Sequence, residues 1–291
     1  MLRDTERPVR MTTTTRVLIA GAGVAAFEAT LALVAAARER VAIELVAPEG
    51  KFSYRPLAVA EPFGLGQVRT FDLPELAAAA GAHFAPGEVV AVDAVAHVAR
   101  TAAGGELAYD VLLIATGASP RTAVAGALTF RGPADTELIR TLLRELEGGA
   151  VQRVAVAVPL GAVWALPAYE LALLIGAYVT ARRIEDVQIA LVTPEEEPLE
   201  LFGSAASAAA KELLDERGIA LRTHVYATEA SDGELRLVPE GLIAVDRVVA
   251  LRLFRGRTRY ITRCLFGRAG EFLALPGGSR ACGGGRRAHI L

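Results

Sequence analysis

A glycine-rich turn between an apolar strand and an alanine-rich helix constrains this chain more than any other feature. Residues 17–20 are apolar, and Gly21, Gly23 and Ala26 follow them in the pattern Gly-x-Gly-x-x-Ala. Gly21 allows a tight turn, Gly23 lets a ligand approach the backbone, and Ala26 lets the helix pack closely on the strand. The helix start also offers free amide groups and a positive dipole end. The pattern predicts a pyrophosphate-binding site made by six residues: Gly21, Ala22, Gly23, Val24, Ala25 and Ala26.

The rest of the chain alternates apolar strands with helices and repeats this arrangement once. Its 291 residues are 53% hydrophobic but only 6% aromatic, which is typical of an α/β protein with alanine-rich helices. We predict an α/β fold of two Rossmann-like dinucleotide-binding βαβ domains. The predicted segments are a disordered N-terminus at 1–15, a first domain at 16–132, a second domain at 133–251 and a basic tail at 252–291.

Charge, cysteine content and hydropathy exclude several classes of protein. The net charge of −2 gives no reason to expect a nucleic-acid partner. Both cysteines, Cys264 and Cys282, lie in the tail, so the body cannot contain a disulfide framework, and we expect no metal site. The polar first ten residues lack a signal peptide, and we expect a cytoplasmic protein. Residues 161–180 are nearly all apolar, but Pro167 and Glu170 favour a buried helix over a transmembrane segment.

Two segments after the glycine turn are candidates for the walls of a nucleotide site. The predicted second strand, 41–47, ends in alanine where an acidic ribose ligand usually stands, which leaves Glu49 as the candidate for that role. The loop 51–63 contains aromatic residues and two cations, Lys51 and Arg55. This loop is either an ordinary surface loop or a wall in which Lys51 or Arg55 faces the pyrophosphate as its charge partner.

Four motifs together carry a resemblance to a known family. They are Gly21-x-Gly23-x-x-Ala26, Phe52-x-Tyr54-Arg55-Pro56-Leu57, Val89-x-x-Val92-Asp93 and Ala115-Thr116-Gly117. As a set, over about residues 16–251, they resemble the FAD-dependent pyridine nucleotide-disulfide oxidoreductase superfamily. The branch most similar is that of the sulfide:quinone oxidoreductases and type II NADH dehydrogenases.

The resemblance implies a cofactor, a reaction and a set of binding residues. The first domain would bind FAD and the second, in most of the family, NAD(P)H. The reaction would be transfer of an electron pair from a small-molecule donor, not identified here, through the flavin to a quinone or another small-molecule acceptor. The resemblance also implies that full-length proteins of this lineage attach peripherally to the inner face of the cell membrane. Its FAD-binding positions fall on Gly21, Gly23 and Ala26 for the pyrophosphate, Lys51 and Arg55 for the cofactor wall, Val89 for the adenine, and Ala115, Thr116 and Gly117 beside the cofactor.

This sequence departs from the family pattern inside the second domain and in its cysteines. Pro159 stands where a glycine pattern would follow the strand, and it fixes φ and removes an amide donor. Trp164 adds bulk nearby, although we expect it to pack in the core. We therefore expect no ordinary NAD(P)H site. Sulfide oxidation in that branch uses cysteines beside the flavin, and the body has none, so the resemblance does not extend to sulfide chemistry.

The third departure is the tail, which lacks the strand ending in Gly-Asp with which the family returns to the FAD domain. Residues 252–291 carry nine arginines and one glutamate. This composition fits a basic tail for acidic partners or, as we favour, out-of-frame translation of a GC-rich gene. The C-terminal return segment of the FAD domain would then be absent. If neither alternative reading frame after codon 251 encodes a Gly-Asp strand, the frameshift hypothesis fails.

Three functional hypotheses follow from these observations. The first is an FAD-dependent oxidoreductase, the second an inactive truncated remnant of one, and the third a nucleotide-binding interaction module that uses the basic tail. No catalytic acid, base or nucleophile is assigned by the sequence. Glu170 is the one lone carboxylate in an apolar helix, either on a helix face that meets another domain or as a proton-handling group near the flavin. The sequence does not indicate an oligomeric state.

Overall fold

The computed structural model describes residues 14–162, 164–239 and 241–256, and the backbone of 283–284, 286–287 and 289–290. The predicted disordered N-terminus lies outside the described residues apart from Thr14 and Thr15, and most of the predicted basic tail also lies outside them. The helices are α1 Val24–Ala37, α2 Leu73–Ala79, α3 Thr136–Glu147, α4 Leu166–Arg182 and α5 Ser204–Glu216.

The strands fall into two parallel sheets, two antiparallel meanders and several short ribbons. In chain order they are β1 Thr15–Ala20, β2 Val41–Ala47, β3 Lys51–Tyr54, β4 Arg69–Asp72, β5 His83–Pro86, β6 Val89–Asp93, β7 Val98–Thr101, β8 Glu106–Ala108, β9 Val111–Ile114, β10 Ala118–Arg121, β11 Leu128–Phe130, β12 Arg153–Ala157, β13 Gln188–Val192, β14 Ile219–Arg222, β15 Tyr226–Ser231, β16 Glu234–Val238, β17 Leu242–Ala244, β18 Arg247–Leu251, β19 Leu253–Gly256, β20 Gly283–Gly284, β21 Arg286–Arg287 and β22 His289–Ile290.

The chain divides into two compact units. Among the described residues, the first unit contains 14–53, 70–118 and the residues from 256 onward, and the second contains 54–69 and 119–255. The first unit is built on a five-stranded sheet in the order β22-β9-β1-β2-β5, in which every neighbouring pair is parallel. Helix α1 connects β1 to β2, and the antiparallel meander β6-β7-β8 lies between β5 and β9 in the chain.

Strand β1 shows why the first unit has a core on both faces of its sheet. Successive side chains of a strand point to opposite faces. Val17 and Ile19 join the buried cluster that includes Ala26 of α1. Leu18 and Ala20 join a second buried cluster, which includes the meander residues Val89, Val92 and Ala99. A strand buried on both faces must be apolar throughout, as the run at 17–20 is.

The second unit repeats this plan with its own residues. Its five-stranded sheet has the order β11-β18-β12-β13-β14, again with every neighbouring pair parallel, and its meander is β15-β16-β17. Val154 and Val156 of β12 pack in the cluster that includes α3 and α4, whereas Ala155 and Ala157 pack in the cluster that includes the meander. The α/β fold of two Rossmann-like units is therefore confirmed.

In each unit an aspartate fixes the start of one strand of the parallel sheet, namely β9 in the first unit and β18 in the second. In the first unit Asp110 Oδ2 accepts the Arg16 amide at 2.8 Å, and the Asp110 amide donates to the Arg16 carbonyl at 2.9 Å. In the second unit Asp246 Oδ2 accepts the Arg153 amide at 2.8 Å, and the Asp246 amide donates to the Arg153 carbonyl at 2.8 Å. The same pair of hydrogen bonds thus recurs at the same place in both sheets.

The apolar stretch at 161–180 contributes most of α4, which packs in the core of the second unit through residues such as Ala168, Leu171 and Ile175. Among the helices that the structure describes, none has both the length and the apolar character required to cross a bilayer. Asp72 caps the start of α2, because its Oδ1 accepts a hydrogen bond from the Glu75 amide at 3.4 Å.

Candidate functional site

The turn after β1 is held so tightly that only glycine fits at its first position. Gly21 has a φ of +123°, which L-residues with a side chain rarely adopt. Its amide donates to the Val46 carbonyl at 2.7 Å, so the turn is fixed against the end of β2. A Cβ on Gly21 would lie 2.1 Å from the Ala115 carbonyl oxygen, which follows β9. The turn is therefore confined by the carboxyl ends of both strands that flank β1.

The second glycine of the turn is, by contrast, unconfined by the protein. Gly23 is the N-cap of α1, with a φ of −89° and a ψ of −171°, and no side chain caps the helix. No atom of the described chain lies within 4 Å of a Cβ placed on Gly23. The first turn of α1 also contains no acidic residue. The amides at this helix start are therefore available to an anion, and any side chain at Gly23 would project into the space that the anion would occupy.

The residues around these glycines differ in exposure as their positions on α1 require. Ala26 is fully buried against the sheet, which lets the helix approach β1 closely. Val24 and Ala25 are exposed beside Gly23. Ala22 is half-buried and packs against the same core cluster as Ala26. The predicted phosphate-binding segment thus has one face packed on the sheet and one face open.

The candidate residues for the adenosine half lie beyond the end of β2. Strand β2 ends at Ala47, and Glu49 and Lys51 follow it with exposed side chains. The Gly87 amide donates to the Ala47 carbonyl at 2.9 Å, which ties the segment before β6 to this end of the sheet. Val89, the first residue of β6, is buried. Glu49, Lys51 and the backbone of Val89 therefore belong to one end of the first unit.

The segment after β9 lies next to the glycine turn. The Ala115 amide donates to the Ala20 carbonyl at 2.8 Å, and the Thr116 nitrogen lies 3.1 Å from the Cβ position of Gly21. Ala115 is buried, Thr116 is half-buried and Gly117 is exposed with a φ of +67°. The structure therefore brings the Ala-Thr-Gly segment together with the Gly-x-Gly turn within the first unit.

Arg55 is the one predicted site residue that the structure assigns to the second unit. It is exposed and is the N-cap of the 3-10 helix Pro56–Ala58, in the segment 54–69. Its role in the wall of the cofactor site stays a prediction. Lys51 belongs to the first unit and is the first residue of β3, four positions after β2 ends at Ala47.

The second unit has a longer and differently built turn at the position of the glycine turn. The Val158 amide donates to the Val192 carbonyl at 2.8 Å, as the Gly21 amide does to Val46 in the first unit. However, α4 begins only at Leu166, whereas α1 begins at Val24. Within this longer turn Pro159 is buried and has no amide hydrogen to donate.

Trp164 corrects an expectation drawn from the sequence. Its side chain is 51% exposed, so the expectation that it packs in the core is wrong. The indole instead contacts the Phe202 ring edge to face, with the ring centroids 5.2 Å apart, and Phe202 is itself 45% exposed. Trp164 lies in the turn after β12, and Phe202 ends the 3-10 helix Glu200–Phe202 in the segment after β13. The ring pair is therefore exposed on the surface of the second unit.

A buried hydrogen-bonded cluster in the second unit was missed by the sequence reasoning. Glu195 Oε2 accepts the Tyr169 hydroxyl at 2.7 Å and the Thr193 hydroxyl at 2.8 Å. Burial, and then the hydrogen bond to Glu195, raise the pKa of Tyr169 far above its usual range. The signal that could have revealed this cluster is a repeated dipeptide, because Pro-Glu follows both β2 and β13.

The neighbouring residue, Glu170, is half-buried in α4, and burial raises the pKa of its carboxyl. Its assignment as a proton-handling group stays a prediction. No cluster of metal-ligating side chains occurs within the described ranges.

Comparison with known proteins adds a family and a fold. A family model described as pyridine nucleotide-disulphide oxidoreductase matches residues 15–252. No protein with a curated description matches the chain. The sulfide:quinone oxidoreductase of the hyperthermophilic bacterium Aquifex aeolicus is a structural neighbour, with a TM-score of 0.75 and 19% identity over 86% of this chain and 61% of that one.

Two further structural neighbours were solved in complexes, one with a small molecule and one with a protein. NDH2 from Plasmodium falciparum, solved in complex with RYL-552, has a TM-score of 0.66 and 16% identity over 87% of this chain and 57% of that one. The putidaredoxin reductase of a covalent complex with putidaredoxin has a TM-score of 0.61 and 20% identity over 87% of this chain and 61% of that one. At these identities the neighbours establish the fold, and this chain spans 57–61% of their lengths.

Proposed function

Because this chain belongs to the pyridine nucleotide-disulphide oxidoreductase family, we propose that its first unit binds FAD and that the protein transfers an electron pair through the flavin. The acceptor that we propose is a quinone, since one structural neighbour is a sulfide:quinone oxidoreductase. The donor is a small molecule other than NAD(P)H. The interaction-module hypothesis ranks below this one.

The observation that carries the proposal is the contrast between the two glycines of the turn. Gly21 is confined by the Ala115 carbonyl oxygen, which fixes the turn. Gly23, at the uncapped start of α1, instead faces a space that no described residue beyond its chain neighbours enters. A rigid turn that presents free amides to an open volume fits the pyrophosphate of a dinucleotide. Gly21, Gly23 and the amides of Val24 and Ala25 would hold that pyrophosphate.

The remaining candidate residues match the other parts of FAD. Glu49 would accept hydrogen bonds from the ribose hydroxyls, and Lys51 would offset the charge of the phosphates. The backbone of Val89 would contact the adenine. The segment 115–117 would pass beside the cofactor.

When bound, the flavin supplies the redox chemistry, and this chain supplies position and electrostatics. The helix start at Gly23 would hold the phosphates, and the buried Ala115 and half-buried Thr116 restrict the volume beside the turn. A quinone acceptor that is dissolved in a bilayer would require the protein to bind the membrane surface. We therefore propose peripheral association with the cytoplasmic face of the membrane.

The test is the visible spectrum of the purified protein after incubation with FAD and removal of free cofactor. We expect a yellow protein with about one FAD per chain, which dithionite reduces and a water-soluble quinone reoxidises. NADH should leave the spectrum unchanged. A colourless protein after this treatment would contradict FAD binding, and rapid bleaching by NADH would contradict the choice of donor.

A second candidate, an inactive remnant with weak FAD retention, is favoured by one observation. Among the described residues, the edge of the first sheet beside β9 is covered only by the two-residue strand β22, His289–Ile290. Tight stoichiometric FAD in the 291-residue chain would eliminate this candidate. Binding that is lost on gel filtration, together with poor solubility, would favour it over the active enzyme.

A further inference from the structure

The ends of β2 and β13 are equivalent positions in the two units. The amide that follows β1 donates to the Val46 carbonyl, and the amide that follows β12 donates to the Val192 carbonyl. Three residues further along, each chain segment reaches a glutamate that follows a proline, namely Glu49 and Glu195. In a dinucleotide-binding unit, the carboxylate near this end of the second strand hydrogen-bonds to the ribose hydroxyls.

The two glutamates differ in what already contacts them. Glu49 is exposed in the first unit. Glu195 is half-buried, and its Oε2 accepts both the Tyr169 hydroxyl at 2.7 Å and the Thr193 hydroxyl at 2.8 Å. The two donors are held firmly, since Tyr169 is 1% exposed and Thr193 is fully buried. Two protein hydroxyls therefore occupy one of the two carboxylate oxygens that Glu195 could offer to a sugar.

Displacing these hydroxyls would be unfavourable for a ligand. A carboxylate oxygen has two lone pairs, and both of those on Oε2 are used. Hydrogen bonds to a charged acceptor away from water are among the stronger ones, and a buried phenol left without its partner adds a desolvation cost. A ribose would therefore meet a carboxylate with half of its accepting capacity already taken.

The surroundings of Glu195 are also unfavourable for a phosphate. Glu196 and Glu200 are exposed in the same loop, and they would repel an approaching anion. Pro159 removes an amide from the preceding turn. The ribose position and the phosphate position of the second unit are thus both altered, by different residues.

We propose that Tyr169 lowers the affinity of the nucleoside position of the second unit, by occupying Glu195 Oε2 together with Thr193, and so disfavours pyridine nucleotides as donors. This inference rests on the proposed function, in which the donor is not NAD(P)H. Tyr169 acts here as a specificity-determining residue, and its own ring remains part of the core of the second unit.

The test compares adenosine binding to the wild type, Tyr169→Phe and Tyr178→Phe by ligand-observed NMR, with each protein saturated with FAD so that the adenosine position of the first unit is filled. Adenosine lacks phosphate, so the altered turn at Pro159 does not affect the comparison. Tyr178→Phe is the matched control, because its hydroxyl donates to Glu147 Oε1 at 2.6 Å from the same helix without touching Glu195. We expect Tyr169→Phe to bind adenosine about tenfold more tightly than the wild type, and Tyr178→Phe to match the wild type.

A second pair of variants attributes the gain to Glu195. Adding Glu195→Ala to Tyr169→Phe should abolish the gain, and Thr193→Val alone should tighten binding in the same direction. Thr193→Val decides the question if Tyr169→Phe does not fold. Equal affinities for Tyr169→Phe and Tyr178→Phe, or micromolar binding of NADH to the wild type, would overturn the proposal. FAD content, measured on the same samples, reports on the proposed function separately, because both tyrosine variants leave the first unit unchanged.

Discussion

Replacing each of the two glycines of the first turn by alanine should have different effects: Gly21→Ala should lower stability, and Gly23→Ala should weaken FAD binding. In Gly21→Ala the new Cβ would lie 2.1 Å from the Ala115 carbonyl oxygen, far inside van der Waals contact, on a backbone with a φ of +123°. Positive φ costs about 1–2 kcal/mol in a residue with a side chain, and forced repacking costs about 1–3 kcal/mol more. We therefore expect the first unit to lose about 2–5 kcal/mol of stability.

Gly23→Ala should leave stability unchanged and weaken FAD binding. The backbone at Gly23, with a φ of −89°, accepts an alanine, and no described residue beyond the two chain neighbours of Gly23 has an atom within 4 Å of the new methyl group. The methyl group would instead enter the volume assigned to the pyrophosphate. We expect FAD affinity to fall by about 10- to 100-fold, the equivalent of about 1–3 kcal/mol of steric conflict, and to fall further in Gly23→Val.

Thermal melting without FAD and equilibrium titration with FAD separate the two effects. Gly148→Ala is the control for loss of a glycine, because Gly148 follows α3 with a φ of −80° and its Cβ would make only an ordinary contact, 3.4 Å from the Arg144 carbonyl. The control should melt and bind FAD as the wild type does. A melting temperature of Gly21→Ala equal to that of the wild type, or an undiminished affinity of Gly23→Ala for FAD, would refute these roles of the two glycines.

Three further changes test the fold and the second unit. Asp246→Asn should destabilise the second unit by about 1–2 kcal/mol at pH 7, after discounting for solvent screening, because the Arg153 guanidinium and backbone amides lower the pKa of Asp246 to about 2. Since that pKa is depressed, its contribution is complete above the ordinary aspartate pKa and is lost as the pH falls from about 4 to 2; an acid-unfolding curve that is identical in the variant would contradict this. Ala26→Val adds volume to a fully buried contact between α1 and the sheet, and a urea titration should show a loss of about 1–3 kcal/mol rather than none. Trp164→Ala, at an exposed ring pair, should cost no more than about 1 kcal/mol and leave FAD content unchanged, so a collapse of stability would show that the indole is a core residue after all.

Local sequence signals predicted the parts of the fold that depend on local geometry. The apolar run at 17–20 and the small residues at Gly21 and Gly23 each act within a few residues of their own position. The second alternation of apolar strands and helices along the chain predicted the duplication of the two units. Those features followed from strand periodicity and glycine conformation, which a single sequence displays.

The features that the sequence did not predict depend on contacts between distant residues. Tyr169 and Glu195 are 26 positions apart, and only the packing of α4 against β13 brings them within hydrogen-bond distance. The exposure of Trp164 likewise depends on the long turn after β12, because a short turn like the one before α1 would have placed the helix start elsewhere. Arg55 is close in sequence to β3, but its contacts belong to the second unit.

Calorimetric competition among FAD, ADP and riboflavin tests the central claim most directly. If the helix start at Gly23 grips the pyrophosphate, FAD should bind with a Kd below about 1 μM. ADP, which carries the phosphates and the adenosine, should displace it, whereas riboflavin should not. A protein that binds no FAD, or that binds riboflavin as well as it binds ADP, would contradict the account.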